Sequence, residues 1–409
     1  MSSQPGAIVV GGSINGLNAV RALASYGMPV AVVVTSPGEI AHYSRWVTEH
    51  HELFDFFNRT DSLLDLLEHH ARRWDGWAVL PTGDEALAVL SRNRERLERR
   101  YRILTPPWEV ARNLLHKDST YEAANKLGID IPHVYGEATP EVASVVSFPV
   151  VVKPVESRPF VSRFGVKLFV ARDRTELLRH IQELRAAGLR AQILDLVPGP
   201  DSLFYNYTVY IDRAGQPIAE LPMRKLRKSP PFFGVVRVAE ITKVPQLREP
   251  TLNLLRHIEW RGMASAEYKL DPRDGRYRLM EINGRCFLIH ALARRAGVNY
   301  PLLAWREAVL GEKVSASPNG WDGVWIHLLD DIYYGVFYRG VEQLSLREYL
   351  APYRRPKCYA VWSASDPKPF LMQCYLNLRK AATAAVSARD RAIFRSRVQG
   401  MPVDPRKPV

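Results

Sequence analysis

The 409-residue sequence is short of several things, and each shortage closes a class of explanation. Only three cysteines are present, Cys286, Cys358 and Cys374, widely spaced and odd in number. That excludes a disulfide framework and predicts a reducing, cytoplasmic location. No stretch approaches the ~20 apolar residues that cross a bilayer. The first residues also lack a charged segment leading into an unbroken apolar core. Neither membrane insertion nor a signal peptide is expected. Acidic residues are the scarcer charge, 43 against 56 basic, and the resulting net charge of +13 favours anionic partners. The basic residues are scattered through mixed-sign stretches such as SRNRERLERRYR (91–102), without an aromatic-interleaved module or zinc-finger spacing. This reads as a solvated helix face, and nucleic acid is not an expected partner.

At this length more than one core is expected. AIVVGG and PVAVVVTS read as parallel strands buried on both faces, with the helical LNAVRALASYG between them. Residues 1–115 are therefore expected to form a Rossmann-like α/β unit. Its first turn, VVGGSINGL, lacks the middle glycine of a dinucleotide fingerprint: Ser13 stands between Gly12 and the next residues, with Gly16 further on. Thr35 and Ser36 end the second strand where a ribose-binding carboxylate is required. A tight strand-to-helix turn bordering a cleft is the better reading, and a dehydrogenase is set aside.

The informative segment is SAEYKLDPRDGRYRLMEINGR (265–285). If its arms are strands, Glu267 and Glu281 lie on neighbours, and Asn283 and Arg285 follow Glu281 at period two on one face. Two carboxylates and an amide oxygen make a hard site that suits Mg²⁺, while Arg285 can neutralise a phosphate or acyl phosphate. RLMEIN sets Glu281 in an otherwise apolar strand, which a solvent-facing hairpin does not explain. FPVVVKP buries most of a strand yet ends on Lys153, a costly position unless an anion meets it. With Lys117 at a helix start and Lys167 behind RFG, three lysines precede the carboxylates as a candidate polyphosphate cradle.

The order HKDSTYEAANKLGIDIP, FPVVVKP, ILDLVPGPD, AEYKLD and LMEINGR resembles the ATP-grasp superfamily, and within it the carboxylate–amine ligases acting on amino acids and peptides. The resemblance implies an α/β and α+β architecture: a Rossmann-like domain (1–115), a two-lobed ATP-grasp domain (116–320, lobes about 116–195 and 196–320) and a C-terminal aromatic and basic extension (321–409). It implies that Lys117 and Lys153 bind the α- and β-phosphates, with Lys167 behind a flexible loop spanning Ser157 to Gly165. Asp195, Leu196 and Val197 would form the adenine hinge, with Asp201 near the ribose. Glu267, Glu281 and Asn283 would hold two Mg²⁺ ions, Mn²⁺ being the alternative, with Glu281 bridging. Arg285 would stabilise the transferred phosphoryl group, and Arg224 would face the carboxylate substrate. Two departures stand out: the phosphate loop ESRPFVSRFG has one glycine, and Asp195 occupies a hinge position often filled by Glu.

The implied reaction activates a carboxylate as an acyl phosphate and couples it to an amine, releasing ADP and phosphate. The partners would be small carboxylates and amines, amino acids or a carrier-bound acceptor among them; homodimers are common among the proteins it resembles, and the sequence leaves the oligomeric state open. Ser157–Gly165 and Arg227–Gly234 are the candidate lids. A non-catalytic ATP-binding regulator is the alternative. Beyond residue 321, WIHLLDDIYYGVFYRG reads as a packed helix whose polar edge carries His327, Asp330 and Asp331, in preference to a metal or substrate site. The last stretch, with Arg379, Lys380, Arg389, Arg391, Arg395 and Arg397, reads as a solvated basic helix.

Overall fold

Three sheets, each drawn from a different stretch of chain, position everything that follows. The computed structural model describes residues 5–338 and 342–382, so Arg389, Arg391, Arg395 and Arg397 lie outside the described residues. The first sheet contains β1 (Ala7–Val10), β2 (Val30–Val34), β3 (Glu49–Glu52), β4 (Ala78–Pro81) and β5 (Arg102–Ile103), all parallel in the order 3-2-1-4-5. That is the doubly wound order, whose crevice opens at the carboxyl ends of the strands. Alternate residues serve opposite faces: Ala7 and Val9 join one apolar cluster, Ile8 and Val10 another. Both faces are covered, which is why β1 and β2 read as unbroken apolar runs.

The second sheet is antiparallel: β6 (Val134–Glu137), β7 (Val150–Pro154), β8 (Phe169–Ala171) and β9 (Ala191–Asp195), ordered 6-9-7-8. The helix Arg174–Ala186 covers its apolar face through Leu177, Ile181 and Leu184. Between β7 and β8, residues Ser157–Phe164 are helical, closed by Gly165 at φ +68°. The expected flexible loop is thus a correction. With glycine confined to one position, the segment has the backbone stiffness for a helix, and the glycine serves as its left-handed cap.

The third sheet has seven strands: β10 (Phe204–Ile211), β11 (Pro217–Ser229), β12 (Val235–Ile241), β13 (Gly262–Leu270), β14 (Tyr277–Asn283), β15 (Val324–Ile326) and β16 (Lys357–Tyr359), ordered 14-13-10-11-12-15-16. Two of these strands come from beyond residue 321. Packing joins this sheet to the first: Met223, Ala239 and Trp325 share a cluster with Val9, Leu17 and Val32. Among the described residues no helix is long and apolar enough to cross a membrane.

The segment after β15 is fastened by a buried ion cluster. Asp331, on the helix Leu328–Phe337, accepts from Arg227 at 2.8 Å and from Arg237 at 2.8 Å, with Tyr353 donating at 2.6 Å. The Arg237 and Asp331 side chains are fully buried. Removing one partner of such a cluster strands the others without water. Asp331→Ala should therefore lose about 3–5 kcal/mol of stability, measured by chemical denaturation. A loss below about 1 kcal/mol, the value of a surface pair, would contradict this account.

Candidate functional site

A cleft of about 620 Å³ lies where the three sheets meet, walled by Ser13 and Asn15 of the first turn, Lys153 of β7, Asp195 of β9 and Glu281 of β14. The β13–β14 hairpin sets its acidic wall. Glu267 and Glu281 are direct cross-strand partners, and Ser265 pairs with Asn283. Like charges directly opposed on a sheet repel unless cations intervene. Lysines provide them: Lys225 contacts Glu267, and Lys153, Lys117, Lys225 and Lys167 all surround Glu281. Burial alone would raise the Glu281 carboxyl, but these ammonium groups outweigh it and hold it at about 2.

On the other flank of β13, Asn206 of β10 stands opposite Glu267 and lines the same cleft. Its Nδ2 donates to Ser265 Oγ at 3.0 Å, while its buried Oδ1 has no partner among the described residues. Among the described residues no three His, Cys, Asp or Glu side chains gather into a self-sufficient metal site. The donor set is instead two carboxylates, Asn283 and the unsatisfied Asn206 oxygen. Such a set fits a hard cation that completes its shell with water and phosphate oxygens.

The basic wall is built from several elements. Lys153, the penultimate residue of β7, donates to Tyr121 Oη and to Met280 O, both at 3.1 Å. Burial disfavours its charge, yet Tyr121 and Glu281 prevail and hold it above the usual lysine value. Lys117 opens the helix Lys117–Lys126, and burial, reinforced by Lys153, lowers it to about 8. Lys167 is an exposed side chain on the same cleft. Lys225, Lys228 and Lys269 surround the Phe204 ring, with ammonium nitrogens 5.7, 3.8 and 4.9 Å from its centroid. Lys269 donates to Val197 O at 2.7 Å and Gly199 O at 3.0 Å, which fixes the segment after Asp195. The carboxylate of Asp195 accepts from Tyr135 at 2.8 Å. Leu196 and Val197 line the cleft beside it.

Two residues singled out in the sequence face elsewhere. Arg224 does not line the cleft; it donates to Ser202 O at 2.6 Å and lies 3.8 Å from Glu240. Its strand neighbour Lys225 takes the cleft side, as alternation requires. Asp201 is buried and accepts from the backbone of Lys228 and of Phe232, each at 3.0 Å, so its carboxylate shapes the turn after β11. The proposed Arg227–Gly234 lid is pinned by those bonds and by the Arg227–Asp331 pair. Arg285 lines the cleft with its Nε 2.6 Å from Asp84, which holds its charge against the effect of burial. Tyr121, Asn206, Lys225, Lys228, Lys269, His327 and Asp330 reach the cleft without having been singled out there.

The first turn is already occupied. Glu39 accepts from Gly12 N at 2.7 Å and Thr35 N at 2.8 Å, the amides at the ends of β1 and β2. A dinucleotide would need those same positions for its pyrophosphate and ribose. The glycines answer to packing: a Cβ on Gly16 would sit 2.0 Å from Gly11 O.

Lys228 and Lys269 are lowered to about 8 and about 7, burial being the largest cause in both. In the unfolded chain lysines titrate near ~10.4. Between these values the unfolded state binds more protons, so stability rises with pH. Resistance to urea should increase from about pH 7 to about pH 9, with a shallower rise in Lys269→Met. A flat or falling profile in the unaltered protein would refute these assignments.

Residues 240–313 match the family described as carbamoyl-phosphate synthase L chain, ATP binding domain. A D-aspartate ligase of Enterococcus faecium (strain Aus0004) is 24% identical over 240 residues, covering 53% of this chain and 55% of that protein. The chain thus spans about half the length of this curated relative. The N5-carboxyaminoimidazole synthetase of Staphylococcus aureus superposes with a TM-score of 0.62 at 13% identity, covering 83% of this chain and 87% of that one. The L-amino acid ligase of Bacillus licheniformis gives 0.58 at 16%, covering 76% and 75%. The chain has the ATP-grasp fold, shared with these ligases and synthetases.

Proposed function

We propose that this protein is an ATP-dependent, ADP-forming ligase that activates a carboxylate as an acyl phosphate and joins it to an amine. The observation that carries the reading is the facing pair Glu267 and Glu281 within a cleft lined by six lysines and Arg285. Fixed cations around an oxygen donor set suit a triphosphate and its metal, and phosphoryl transfer needs little beyond positioning and charge neutralisation. Relatives named as a D-aspartate ligase and an L-amino acid ligase agree with it.

In this reading the segment Asp195–Val197 receives adenine along its backbone, and Lys117 and Lys153 hold the α- and β-phosphates. Lys225 and Lys228, both buried, add charge beside Glu267. Glu267 and Glu281, with Asn283 and Asn206, would hold two Mg²⁺ ions, which supply charge neutralisation at the transferring phosphoryl group when bound. The substrate carboxylate oxygen attacks the γ-phosphorus and ADP leaves with the electron pair of the broken bond. Arg285 neutralises the acyl phosphate. The deprotonated amine then attacks the acyl carbon, a C–N bond forms, and the C–O bond to phosphate breaks.

The deciding experiment offers ATP, Mg²⁺ and pools of amino acids, small carboxylates and amines, and follows ADP and phosphate. ADP release should need both a carboxylate and an amine, and should fall by about a hundredfold or more in Glu281→Ala. ATP binding without ADP release from any pool would favour a regulatory protein; undiminished release in the variant would overturn the metal assignment.

Lys117 provides an independent check. Near pH 8.5 it is largely neutral, since burial holds it at about 8. An arriving phosphate favours the charged form. Nucleotide binding should therefore take up protons, seen as a dependence of the calorimetric heat on buffer ionisation, and Lys117→Met should remove most of that uptake.

A further inference from the structure

His327 and Asp330, which the sequence places on the polar edge of a packed helix, both line the cleft. They come from the segment that follows β15, and their placement is rigid. Asp331, the next residue, is fully buried between Arg227 and Arg237. His327 caps the helix Leu328–Phe337, its Nδ1 accepting from Asp330 N at 3.3 Å, while its Nε2 lies 3.2 Å from Gln373. Ser229, at the end of β11, donates to Asp330 Oδ2 at 2.9 Å.

The other carboxylates of the cleft are already committed. Asp84 pairs with Arg285, Glu267 with Lys225, Asp195 accepts from Tyr135, and Glu281 sits among lysines. Among the described residues the Asp330 carboxylate receives the Ser229 hydroxyl alone; it faces His327 Nδ1 at 3.3 Å, and its side chain is 38% exposed. Burial lowers His327, outweighing the pull of Asp330, so the imidazole adds no charge at neutral pH. A half-open carboxylate in a lysine-rich cleft repels phosphates and attracts a cation. In amide ligation the cationic reactant is the amine before it loses its proton.

We propose that Asp330, oriented by Ser229, binds the ammonium group of the incoming amine, so that the C-terminal segment furnishes the nucleophile's subsite. This rests on the ligase reading. The test separates carboxylate activation from amine capture. Hydroxylamine is uncharged at neutral pH, so it traps an acyl phosphate as hydroxamate without needing an ammonium subsite. Wild type, Asp330→Asn and Ser229→Ala are each given ATP, Mg²⁺ and the pooled carboxylates, with hydroxylamine in one series and pooled primary amines in the other.

Asp330→Asn should form hydroxamate within about twofold of wild type, while amine-dependent ADP release falls about tenfold or more at low amine and recovers as amine concentration rises. Ser229→Ala should move the same way by less. If hydroxamate and amine-dependent release fall together, or neither changes, Asp330 is not the amine's subsite. If wild type makes neither hydroxamate nor ADP, the ligase reading has failed and this inference falls with it.

Discussion

Repulsion among ammonium groups facing one cleft is the constraint around which the structure is arranged. Lys117, Lys153, Lys225, Lys228 and Lys269 arrive from one helix and from strands of two sheets, and three of them crowd one phenylalanine ring. Charges brought together out of water are costly unless countercharge is near. The chain answers in two ways. Glu267 and Glu281 stand opposite one another, each offsetting lysines that would otherwise repel. Lysines further from them, such as Lys269, shift towards neutrality instead. Both answers leave the cleft receptive to a ligand carrying several negative charges.

Much of this was legible because burial leaves marks in sequence. A lysine ending an apolar strand and a glutamate inside another identified Lys153 and Glu281, and period two linked Glu281 to Asn283. The same logic failed for Arg224, since alternation says that neighbours face opposite ways but not which one faces the cleft. In β11 the pairing register shifts between Lys225 and Arg227 and again between Arg227 and Lys228. A strict period therefore breaks down where the basic residues lie. Asn206 left no trace, because one amide in FYNYTVY looks ordinary until its oxygen is found buried and, among the described residues, unpartnered.

The glycines of the first turn show how an incomplete motif can be structurally whole. Sequence reveals that a ribose-binding carboxylate is missing at the end of β2, but not that Glu39, four residues past Thr35, folds back onto Gly12 and Thr35. The carboxylate that a dinucleotide site would direct at its ligand is directed here at the backbone. The turn keeps its shape without an anion, and Ser13 and Asn15 are left to border the cleft.

The addition of β15 to β12 bears on how the chain is made. β15 joins at Val324–Ile326, and Asp331 follows within one turn. On a ribosome β10 to β14 would be available before either feature emerges, leaving β12 as an edge with open backbone groups and Arg237 without its carboxylate. Unpaired edges of this kind recruit foreign strands. β15 is thus made after the strand it covers, so the interval before it arrives is when β12 has most need of protection from neighbouring chains.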